Sequence, residues 1–78
     1  MTKGIKMTRE EEIYAKDIFQ MKSHGETVEY TVWADGLGEI KVRDAVTDEI
    51  VHEEQSKWLK PDIARQWAIG AMWMRYGI

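Results

Sequence analysis

Cysteine is absent from the 78 residues, and proline and phenylalanine occur once each and histidine twice. Without thiols there is no disulfide framework, no thiolate metal site and no cysteine nucleophile. That fits a reducing compartment, and a cytoplasmic protein is expected. No apolar run approaches the roughly 18 residues that a spanning helix requires, and no signal-peptide core is visible, so no membrane association is expected. The two histidines, His24 and His52, are too few to build a metal site. In a strand, the run His52-Glu53-Glu54 would send alternate side chains to opposite faces, where they cannot share an ion. The Gly36-Leu37-Gly38 sequence leads into a strand pattern rather than a helix, so it is not a phosphate loop. No serine or threonine is visibly matched with a histidine and an acid. The sequence therefore predicts a non-enzymatic protein with no catalytic residues, no metal and no cofactor.

What is present suffices for one small domain. Hydrophobic residues make up 44% and charged residues 32%, as in an ordinary folded chain. The net charge of −3 is unevenly spread. Lys3, Lys6 and Arg9 make the first nine residues basic, whereas residues 10–62 carry fourteen acids against six lysines and arginines. An acidic body does not suit phosphate-backbone binding but does suit a basic protein surface, which it would meet quickly.

The pattern along the chain predicts a flexible arm over 1–6 and a single α+β domain over 7–78. From Thr8 a capping box with Glu11, a first turn rich in glutamate and apolar residues at Tyr14, Ala15, Ile18 and Met21, flanked by Ile13 and Phe19, spell a helix ending at Gly25. The period then changes to two. Val28, Tyr30, Val32 and Ala34 point one way and Glu29, Thr31 and Trp33 the other, with a hairpin turn at Asp35–Gly38 and a second strand through Ile40 and Val42. A third strand covers about 49–55, its facing left open by the adjacent Ile50 and Val51. Pro61 and Asp62 start a last helix that stops before Gly77. The predicted fold is a two-layer α-β-β-β-α arrangement, a three-stranded antiparallel meander with both helices on one face.

This order of elements, from Thr8 to Tyr76, resembles that of double-stranded RNA-binding domains. The resemblance implies phosphate contacts from a lysine cluster at the start of the second helix, where this chain has Lys57, Lys60 and Arg65. The chain departs from that pattern at Pro61 and Asp62, and again in the three glutamates, Glu10 to Glu12, that lead the first helix. Likeness of element order does not by itself carry function.

Two surfaces stand out. On the sheet face turned away from the helices, Trp33 is expected beside Lys41 and Arg43, an aromatic–cation group suited to a partner side chain. On the last helix, a core stripe of Ile63, Ala64, Trp67, Ala71 and Met74 leaves Ile69, Met72, Trp73 and Tyr76 on roughly the opposite side. That is more apolar surface than one buried stripe needs. Ile69, Trp73, Tyr76, Trp33, Lys41 and Arg43 are thus the candidate partner-binding residues. The sequence reading is a small interaction protein that blocks a protein partner. Inhibitors that mobile elements such as phages direct at nucleic-acid-handling machinery, anti-CRISPR proteins among them, are similar in character. The alternatives are a homodimeric structural module and a weak nucleic-acid-binding domain.

Overall fold

The computed structural model of the protein describes residues 12–21 and 25–77. The predicted arm, the Thr8 cap, Glu10, Glu11 and His24 lie outside these. Four strands precede one helix: β1 (Ile13–Met21), β2 (Glu26–Trp33), β3 (Leu37–Asp44), β4 (Ile50–Lys57) and α1 (Pro61–Tyr76). The strands form one antiparallel meander in the order β1-β2-β3-β4, and α1 packs on one face of it. The α+β class stands, but the detail is corrected. The segment read as a first helix is a strand, so the sheet has four strands and the described fold has one helix. The element order that suggested an RNA-binding domain is lost with that helix.

The misreading has a physical cause. Ile13, Tyr14, Ile18 and Phe19 satisfy a helical spacing, yet they are β-branched or aromatic residues with strong strand preference. Among the described residues β1 is an edge strand, and both its faces carry exposed side chains: Tyr14, Ile18 and Phe19 are exposed, not core. Such a strand has no need of strict alternation between apolar and polar residues. Gly25 does adopt positive φ, but it turns the chain from β1 into β2 instead of ending a helix.

β2 and β3 are the interior strands and supply the core. Val28, Tyr30, Val32, Ile40 and Val42 are buried on the helix side, where they meet Ala64, Ala68, Ala71 and Met72 of α1. The predicted core stripe of the helix is shifted. Met72 is fully buried, while Met74 is 87% exposed and Ile63 lies at the surface. Alanines let the helix axis approach the sheet closely, and so the small residues form the centre of the contact. Trp67 is too large for that centre and instead lies to one side, its ring over Gly38, where an added Cβ would come within 2.9 Å of it. Gly38 is therefore a strand residue that makes room for an indole, and the β2–β3 turn itself is confined to Ala34, Asp35 and Gly36. In β4 a bulge at Val51 resolves the facing of the adjacent apolar pair, since Arg43 pairs with Ile50 and Val42 with His52.

α1 starts at Pro61 and ends on Gly77 in the left-handed conformation, as the sequence predicts. Its last turn is tied to the far edge of the sheet. Tyr76 donates its hydroxyl hydrogen to Glu54 Oε2 at 2.7 Å, Arg75 bonds Glu54 Oε1, and the Tyr76 ring lies against His52. Burial pushes the Glu54 carboxyl up, but the hydrogen bonds from Tyr76 and Arg75 and the charge of Arg75 outweigh it, leaving the pKa below the ordinary value of 4.5. A carboxylate depressed on folding adds stability above its unfolded pKa and loses it as pH falls through the folded value. Urea midpoints should therefore decline as the pH is lowered below about 4.5. Glu54→Gln should show a smaller acid-dependent decline than the parent; an identical decline would mean that Glu54 contributes nothing to it.

Candidate interaction surface

The two faces of the sheet differ in kind. On the face opposite α1, register places Lys16, Thr31, Glu39 and Gln55 in one row and Ile18, Glu29, Lys41 and Glu53 in the next. Charges of opposite sign are interleaved, and several are joined. Arg43 Nε lies 3.1 Å from Glu29 Oε1, Lys41 Nζ lies 3.7 Å from Glu39, and Gln55 donates to Glu39 at 2.6 Å. Cross-strand pairs of this type stabilise a sheet face modestly. Trp33 lies across from Ile13 in the pairing of β1 with β2 and is 9% exposed. Lys41 and Arg43 stand opposite Glu29 and Thr27. Four residues of strand, roughly 13 Å, separate the position beside Trp33 from Lys41, so the expected aromatic–cation group is not assembled there.

The other surface lies between α1 and β1. Because the helix sits over β2 and β3, a groove of about 230 Å³ remains along its β1 side, lined by Asp17, Phe19, Tyr30, Arg65, Ile69, Met72 and Trp73. Strand alternation brings Asp17 and Phe19 to the helix side of β1, while helical spacing stacks Arg65, Ile69, Met72 and Trp73 on one flank of α1. The walls are apolar. Trp73 is 68% exposed and Phe19 40% exposed, with Ile69 half-buried between core and solvent.

One polar relay crosses the groove. The Tyr30 hydroxyl donates to Asp17 Oδ2 at 3.1 Å and accepts from Arg65 Nε at 3.3 Å. The tyrosine ring is buried in the core beneath, so the relay fixes the carboxylate and the guanidinium relative to the sheet.

The candidates named from sequence thus part company. Ile69 and Trp73 come together in the groove; Tyr76 is engaged with Glu54; Trp33, Lys41 and Arg43 belong to the opposite sheet face. Sequence reading missed the contributions of Asp17, Phe19 and Arg65. The available signal was the strand preference of the β-branched and aromatic residues Ile13, Tyr14, Ile18 and Phe19, overridden by their helical spacing. Among the described residues no three histidine, aspartate or glutamate side chains cluster as metal ligands, and no helix is long and apolar enough to cross a membrane. Compared with protein-family models, curated proteins and solved structures, the chain matches none.

Proposed function

We propose that this is a non-enzymatic interaction protein whose working surface is the groove between β1 and α1, covered in use by another polypeptide. The observation that supports the reading is Trp73. A tryptophan left 68% exposed beside Phe19 and Ile69, on a helix whose core side is already filled by alanines and Met72, is an anchor without a pocket among the described residues. Exposed aromatics in a contiguous apolar setting mark binding surfaces, and tryptophan is among the side chains that dominate binding energy. Blocking of a protein partner, as by the small inhibitors that phages use against nucleic-acid-handling machinery, is the activity such a surface would serve. The mixed signs of the sheet face opposite α1 and the acidic balance of residues 10–62 favour a protein over a nucleic acid as partner.

Trp73→Ser should leave the urea midpoint nearly where it was, because surface changes of this kind shift stability by about 0.5 kcal/mol or less. Association, read as the polypeptide retained by immobilised wild-type and variant protein, second copies included, should fall by about thirtyfold, as for the loss of a binding anchor. Equal retention by the two folded proteins would overturn the reading.

A further inference from the structure

The two edges of the sheet are not alike. β4 has a bulge at Val51, charges at Glu53, Glu54 and Lys57, and the helix end fastened to Glu54. These are features that discourage pairing with another strand. β1 shares the charges, at Lys16 and Asp17, but no bulge interrupts its middle. Its one irregularity lies between Ile13 and Ala15, and from Ala15 to Met21 it pairs with β2 without interruption. Its other edge has no strand beside it among the described residues. Along that edge Ile18 is 61% exposed on one face and Phe19 40% exposed on the other.

We infer that the occupant of this edge and its groove is a second copy of the chain, joined β1 to β1 in antiparallel fashion to make one continuous sheet. This rests on the reading of the groove as a covered surface and names a second copy, in place of a blocked partner, as what covers it. The regular run carries its own symmetry. Paired residues share a face of the sheet, so a two-fold axis must pass through a residue and not between two. Ile18 is the middle of Ala15–Met21. An axis there sets Ile18 against Ile18 of the second copy, Lys16 against Gln20, Asp17 against Phe19 and Ala15 against Met21, with no like charges opposed. Centring on Asp17 or Lys16 would oppose two carboxylates or two ammonium groups, which is unfavourable in a cross-strand pair. Centring on Phe19 would shorten the ladder.

The same axis explains both exposed faces of β1. It stands perpendicular to the sheet, so both helices fall on one side and the two grooves meet there, each bringing Phe19 and Trp73. On the opposite side the two Ile18 side chains cover one another. The interface is isologous, one patch meeting itself.

The absence of cysteine permits a direct test in the full chain. Directly opposed strand residues have Cα atoms about 4.5–5.5 Å apart, within the span of a disulfide. Ile18→Cys should therefore cross-link to a dimer under oxidised glutathione. Lys16→Cys alone should not, because its counterpart lies four residues along the strand. Lys16→Cys mixed with Gln20→Cys should cross-link. Sedimentation equilibrium should give twice the 9.1 kDa chain mass for the wild type at high micromolar concentration. Ile18→Lys, which opposes two charges at the axis and touches no core residue, should be a folded monomer. A wild-type monomer throughout that range, or equal cross-linking by Ile18→Cys and Lys16→Cys, would overturn the inference. Should the wild type be monomeric while Trp73→Ser still abolishes retention of some other polypeptide, the second copy is refuted and the covered groove is not.

Discussion

Replacing Gly36 by alanine should leave the protein largely unfolded at 25 °C. Gly36 has φ of +93° in the β2–β3 turn, a conformation that side chains rarely adopt. Such strain costs on the order of 1–3 kcal/mol. A second effect adds to it, because a Cβ at this position would overlap the carbonyl of Trp58, which is backbone and has no rotamer to escape into. The same two residues are already joined, with the Trp58 N–H donating to the Gly36 carbonyl at 2.8 Å. Moving Trp58 away would break that bond and disturb the entry into α1, three residues further on. A core of this size rarely supplies more than about 3–5 kcal/mol in total. Circular dichroism at 25 °C should show loss of most of the native signal; a cooperative thermal transition within a few degrees of the parent would mean that the turn relaxes freely.

Met72→Ala should come next in severity. Met72 is fully exposed to the sheet and not at all to solvent, the largest helix side chain among the buried residues, packed with Tyr30, Val28, Val32 and Ile40 in one cluster. Emptying such a site costs about 2–5 kcal/mol, the transfer of the lost atoms plus a cavity that the alanines beside it cannot fill. It also stands next to Trp73 in sequence, which makes the comparison informative. Neighbours on a helix differ by about 100°, enough to turn one into the core and the other outward. The urea midpoint should collapse for Met72→Ala and hold for Trp73→Ser. The reverse pattern would exchange their roles.

That division was only partly legible beforehand. Trp67 and Trp73 are six residues apart, so a helix cannot bury both against one sheet, and the outward direction of Trp73 follows from that spacing alone. A helix centred on Trp67, the bulkiest side chain, sends Met72 outward with Trp73. The structure is centred on Ala64, Ala68 and Ala71, since close approach is governed by the smallest residues and a half-buried indole can be placed at the flank over a glycine. β2, β3 and both ends of α1 were readable because each is marked twice, by period and by a residue with restricted φ. β1 was not, because Ile13, Tyr14, Ile18 and Phe19 fit either period and Gly25 suits either a helix end or a hairpin. Once that segment is a strand, the groove follows, and with it Asp17, Phe19 and the edge that no sequence pattern distinguishes from a helix flank.

The claim that β1 is covered is tested most directly by amide hydrogen exchange along that strand as a function of protein concentration. In an isolated edge strand, alternate amides point away from β2 and have no partner. At high concentration every amide from Ala15 to Met21 should be protected, and on dilution the outward-pointing set should lose protection while β2 and β3 keep theirs. If the outward amides exchange at unprotected rates at every concentration, with β2 and β3 still slow, β1 is a bare edge and no second copy covers it.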